Sequence, residues 1–272
     1  MTDSVANPFF GLIGSGTLAA KITSRQQLLL PYPQYTAISQ VFVPAGNSDY
    51  EAVTIQAEKR LSKSLTFLVA YTRSKAIDDV RTPYDQYNHQ WEKGLSSFDA
   101  PNQLRFSAVW NLPYGHGRTF GANSNRVMNL LLGGWNLNGI ATVQSGFPIS
   151  ISRTANVTYG QNVALNNPTL AQWFNTSALT VAPSYTYGNV GPVLTGVRTD
   201  SVKNIDAVLV KTFSATIGDH AITIQFRSEF YNLFNHPQFA APNGTITSQS
   251  FGQVTSQANS PRDIQFGLKV SF

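Results

Sequence analysis

Hydrophobic and polar residues alternate along much of the chain. At its end Ile264, Phe266, Leu268, Val270 and Phe272 share one face of an extended strand, and Asp263, Gln265, Gly267, Lys269 and Ser271 share the other, because successive strand side chains point to opposite sides. The same period recurs upstream. Ile222, Ile224, Phe226 and Phe230 alternate with Thr223, Gln225, Arg227, Glu229 and Tyr231, with Ser228 the sole polar residue on the greasy side. Leu104, Phe106, Ala108, Trp110 and Leu112 alternate with Gln103, Arg105, Ser107, Val109 and Asn111. Leu137, Gly139, Ala141 and Val143 alternate with Asn136, Asn138, Thr142 and Gln144, and Ile140 breaks that pattern. Val53, Ile55 and Ala57 lead through a polar turn at Leu61, Ser62, Lys63 and Ser64 into Leu65, Phe67, Val69 and Tyr71, which predicts a long antiparallel hairpin. Residues 205–213 make a strand with less clean facing, and 34–43 carry the β-branched and aromatic content of another.

Eight strands are therefore expected, and several are long. A membrane-crossing strand needs roughly 9 to 11 residues, against about 5 to 6 for a common soluble strand. The connections also alternate in length. Short or medium ones follow the strands ending near Leu61, Leu112 and Phe213, and long polar ones occupy residues 73–102, 146–204 and 232–262. Residues 127–132 are apolar enough for one helical turn inside the medium connection. Outer-membrane barrels show this asymmetry of short and long ends, with aromatic girdles at both interfaces. Tyr71, Trp110, Trp135, Phe230, Tyr231 and Phe272 fall near predicted strand ends, where girdle residues belong. The expected fold is all-β: an antiparallel transmembrane β-barrel segment of about eight long strands, an open, curved part of a larger barrel. Residues 1–33, broken by Gly and Pro, read as loop, and 34–272 as the barrel portion.

Composition sharpens this picture. Charged residues are only 12% of the 272, about half the roughly 25% usual in soluble domains, as expected of a wall that faces hydrocarbon. The net charge is +5, yet Lys and Arg are scattered singly, so nucleic acid is not an expected partner. Without cysteine there is no disulfide framework or thiolate metal site. No apolar run approaches the 18 or more residues of a spanning helix. The first residues lack a basic region followed by an apolar stretch, so no signal peptide is read and the front of an exported protein is expected to be missing.

Five motifs carry a resemblance: Ser97-Phe98-Asp99-Ala100-Pro101-Asn102-Gln103-Leu104-Arg105, Leu131-Leu132-Gly133-Gly134-Trp135-Asn136, Gln144-Ser145-Gly146-Phe147-Pro148, Tyr231-Asn232-Leu233-Phe234-Asn235-His236-Pro237, and the terminal Phe272. In this order the chain resembles the C-terminal part of TonB-dependent outer-membrane receptors of the Oar-like branch. The resemblance implies a barrel of about 22 strands around an N-terminal plug, taking up scarce nutrients through energised contact with TonB. The chain then corresponds to roughly the last third of such a protein. It would not transport alone, and TonB would be reached only through a missing N-terminal part. The resemblance further implies that Phe272 is a signal for the barrel-assembly machinery and that the location is the bacterial outer membrane.

The candidate residues sort by face. Gln225, Arg227, Glu229, Arg105 and Lys269 would face the lumen, with Arg227 and Glu229 neutralising each other two residues apart. Ile222, Ile224, Phe226, Ile264, Phe266, Leu268 and Val270 would face lipid. His89, His116, His220 and His236 each stand alone, without the spacing a metal site needs. No nucleophile, base or phosphate cradle is supported, so neither catalysis nor a cofactor is expected, and the nutrient ligand is left unidentified. The rival expectation is a secreted β-sandwich or adhesin-like binding module, whose Tyr-, Trp- and Asn-bearing loops would engage glycan or protein.

Overall fold

The computed structural model describes residues 3–38, 46–62, 64–81, 84–85, 88–217 and 220–272. The chain divides into two compact units, residues 1–45 and 46–272, so the division falls after Ala45 rather than after residue 33. In the first unit, Ser4–Ala6 pairs antiparallel with Ile22–Ser24. A single turn of helix, Arg25–Leu28, follows, capped by the Ser24 hydroxyl, which accepts from the Gln27 amide at 3.2 Å. The buried Asn7 side chain donates to the carbonyls of Leu18 and Ala20, both at 2.7 Å, and ties the intervening loop to itself. These contacts give residues read as loop a local fold. Residues 34–38 form no strand. The rest of the strand expected over 34–43 lies outside the described residues.

The second unit is built on one antiparallel sheet whose seven main strands are consecutive neighbours. They are β1 (Ser48–Ser62), β2 (Leu65–Asp78), β3 (Asn102–Asn111), β4 (Trp135–Gln144), β5 (Val202–Ile217), β6 (His220–Tyr231) and β7 (Asp263–Ser271). A two-residue strand, Gly94–Leu95, pairs with the end of β2 as the eighth. Among the described residues β1 and β7 do not pair, so the sheet is not closed. The predicted hairpin is present, with Ile55 opposite Tyr71 and Ala57 opposite Val69. No helix among the described residues is long and apolar enough to cross a membrane.

One connection is shorter than expected. β2 continues past Tyr71 to Asp78 and stays paired with β1 as far as Ser48, so the first long connection spans 79–101 rather than 73–102. Residues 73–78 lack a greasy face, which hid this extension. The backbone there is held instead by the Asp99 carboxylate, which accepts from the Ala76 amide at 2.7 Å, and by the Ser96 amide, which donates to the Ala76 carbonyl at 2.9 Å.

Buried apolar residues gather away from the sheet. Ile149, Ile151, Val163, Phe174, Leu194 and Val197, all in the connection between β4 and β5, form one cluster. Ile246 and Phe251 from the connection between β6 and β7 pack against it. The segment read from the sequence as a long polar connection is thus a small folded body. It carries its own antiparallel pair, Ala155–Val157 with Leu179–Val181.

Candidate functional site

Antiparallel register carries each strand's alternation across the sheet. Ile264 lies opposite Phe230, and the row continues through Ala207, Gly139, Ala108 and Phe67. The next row runs Phe266, Ser228, Leu209, Leu137, Trp110 and Leu65. A one-residue slip anywhere would turn these sets over. The result is a continuous apolar face with no second layer among the described residues. Phe266 and Leu268 are each 70% exposed, and Ile224, Ile264 and Val270 are exposed as well. Ile222 and Phe226 are half-buried on the same face, with the Phe226 ring stacked on Phe266 at 6.1 Å. A β-sandwich would cover this face with another sheet, and that rival expectation fails here.

The opposite face is largely polar. One row runs Val202, Gln144, Gln103, Thr72 and Thr54, with the last two hydroxyls 2.9 Å apart. Asn204, Thr142, Arg105 and Ala70 make the next. Val109, Ile140 and Val208 interrupt it, so the irregularity seen at Ile140 is an apolar side chain on the polar side. Gln225 is the register partner of Lys269. Arg227 pairs with Glu229 at 2.7 Å, and the Tyr231 hydroxyl donates to the same carboxylate at 2.9 Å. Gln225, Arg227, Glu229 and Lys269 therefore stand together on β6 and β7, while Arg105 lies apart on β3.

A polar cleft of about 490 Å³ opens beside Tyr231 at the long-connection end, lined in part by Asn204, Asp206, Asn232 and Asp263. Asp206 accepts from the Asn232 amide at 2.8 Å and from the Asn204 side chain at 2.9 Å. Asp206 was missed because the facing of β5 is ambiguous in the sequence. Part of that ambiguity is Lys211, which sits on the apolar face between the rings of Trp135 and Phe213, at 5.3 and 4.9 Å from their centres.

Arginine–carboxylate pairs tie the long connections into one cap. Arg198 meets Asp99 at 2.6 Å and also donates to the Asp99 and Gly146 carbonyls. Arg153 meets the buried Glu92 at 3.0 Å, and Arg81 meets Asp78 at 2.7 Å. The Asp200 carboxylate accepts from the Phe239 amide at 3.0 Å, which joins the last long connection to the others. No shared motif marks these pairs. The available signal was the scarcity of charge in residues 145–201, where Arg153, Arg198 and Asp200 are the only charged side chains in the sequence.

The motifs singled out from the sequence lie at the seams. A side chain added at Gly146 would overlap the Thr199 carbonyl, and one at Gly134, where φ is +69°, would meet the Thr212 carbonyl at 2.5 Å. Asn232 adopts φ of 50° and binds the His236 backbone through both side-chain ends, at 3.2 and 2.9 Å. Phe272 follows the last strand and is almost fully exposed.

An amphipathic antiparallel wall of long strands, with two short connections at one end and the two longest at the other, is the construction of a membrane β-barrel. Residues 6–265 match the outer membrane beta barrel domain family, and the chain belongs to that family. It is an outer-membrane protein. No curated protein and no solved structure matches it.

Proposed function

We propose that this chain is the C-terminal barrel portion of a TonB-dependent receptor of the Oar-like branch, serving nutrient uptake without catalysis. In this reading Phe266, Leu268 and their row neighbours meet lipid. Gln225, Arg227, Glu229 and Lys269 line the solute path, and the cleft at Asp206, Tyr231 and Asp263 offers it polar contacts. Phe272 addresses the barrel-assembly machinery. TonB engages a plug that these strands do not supply. The supporting observation is that Asp99, Gly134, Gly146 and Asn232, each from a resembling motif, sit where strand passes into connection.

The test compares strains with and without the gene, in backgrounds with and without TonB, for uptake of a panel of labelled nutrients. Uptake of at least one nutrient should require both the gene and TonB. Gene-dependent uptake that persists without TonB, or no gene-dependent uptake of any nutrient, would refute the assignment.

A further inference from the structure

The connection between β3 and β4 contains a helix, Arg126–Leu132, none of whose residues is buried. Five of its seven residues are large and apolar: Val127, Met128, Leu130, Leu131 and Leu132 are all exposed, Val127 by 64% and Leu131 by 60%. Asn125 and Asn129 are turned to internal use. The Asn125 side chain caps the helix by accepting from the Met128 amide at 2.8 Å. The Asn129 side chain accepts from the His116 amide at 2.9 Å and holds the helix to the preceding turn. An apolar surface of this kind marks an interaction site.

Its attachments say what covers it. The Trp135 indole donates to the Leu131 carbonyl at 2.9 Å, and the Lys211 ammonium donates to the Gly133 carbonyl. Trp135 and Lys211 are register partners in the row beyond Leu137 and Leu209, on the apolar face. The helix is therefore fastened to the same side of the sheet as the apolar rows and continues that surface at the short-turn end. Arg118 and Arg126 are exposed in the same connection. An apolar helix next to an interfacial tryptophan, with basic residues at hand for phosphates, fits the boundary between headgroups and acyl chains.

We propose that residues 126–132 are a membrane-interface anchor, lying in the phospholipid leaflet at the short-turn end of the wall with Val127, Leu130 and Leu131 among the upper acyl carbons. This rests on the reading that the apolar face meets lipid, and the test separates the two. The sequence has no cysteine, so Leu131→Cys, Val127→Cys, Leu268→Cys and Ala122→Cys each give one labelling site. The full chain carrying an environment-sensitive fluorophore at that site is reconstituted in bilayers whose phospholipids are brominated either near the glycerol or deep in the chain. Fluorophores at 131 and 127 should be quenched at least about twofold more by shallow than by deep bromine. The fluorophore at 268 should show the reverse order, and that at 122 should be unquenched. Val127→Cys serves if Leu131→Cys does not fold.

Quenching at 268 but at neither 127 nor 131 would overturn the anchor and leave the lipid-facing wall standing. No quenching at 268 would overturn both. Protection of residue 131 from labelling in cells, without quenching in pure bilayers, would mean that a protein covers the helix, and would also overturn the anchor.

Discussion

The wall and the cap treat the same residue type in opposite ways. Phe266 on β7 is 70% exposed and stacks on its neighbour Phe226, whereas Phe174 in the cap is fully buried, edge-on to Phe251 at 5.3 Å. In the cap, apolar side chains leave water for a packed protein interior, which is what ordinarily drives folding. On the wall no protein interior covers them among the described residues. On the proposed reading they meet a solvent that is itself apolar, and the sheet supplies what lipid cannot, partners on both sides for the backbone of β2 to β6. One chain thus contains two folding problems with different solvents, and substitutions of similar size should register in different measurements.

The largest expected effect is in the cap. Phe174→Ala leaves a cavity in the cluster and should cost about 3 to 5 kcal/mol. Proteolysis and amide exchange in residues 145–201 should rise sharply while β1–β7 remain protected in lipid. If the strands lost protection in step with the cap, the two parts would be one cooperative unit and the contrast would fail. Next is Phe266→Arg, near the middle of β7, which should lower stability in bilayers by about 2 to 4 kcal/mol if the site lies near the midplane. Phe266→Leu should stay close to the parent in the same folding titration into vesicles. An arginine variant as stable as the parent there would remove lipid from the account of this face.

The contrast also explains what the sequence could and could not reveal. The wall was legible because its apolar side has a single neighbour, so period two survives in β3, β6 and β7 almost without interruption. It failed where a strand leaves that environment. Residues 73–78 are strand without a greasy face, and Lys211 breaks the facing of β5 because a carbonyl and two rings, rather than lipid, surround its ammonium. The cap was not legible at all, because Ile149, Phe174 and Leu194 are brought together by irregular backbone that leaves no period to read. Its Arg198–Asp99 and Arg153–Glu92 pairs join residues distant in sequence. For the candidate site, Arg227, Glu229 and Lys269 were readable from alternation, whereas Asp206 acquires its surroundings only when β5, β6 and the last long connection meet.

The smallest effect tests the seam where wall becomes cap. The Asp79 carboxylate, just beyond β2, accepts from the Asn47 amide at 2.5 Å and from the Asn47 side chain at 3.2 Å, closing the long-loop end of the first hairpin. The backbone N–H of Asn47, then its side-chain amide, hold the Asp79 carboxyl below its ordinary value of 3.8, against a smaller opposing effect of burial. A carboxyl lowered in the folded state contributes stability that is fully present above its unfolded value and is lost as pH falls through its folded value. The parent should therefore exceed Asp79→Asn in stability near neutral pH, and the two should converge in acid below the ordinary carboxylate range. Thermal melts of both proteins across that range supply the measurement. A difference that stays constant with pH would show that the charge on Asp79 does not hold the seam. Convergence accompanied by increased amide exchange at Asn47, with the central residues of β1 and β2 still protected, would place the acid-sensitive step at the junction and leave the wall's stability to its lipid.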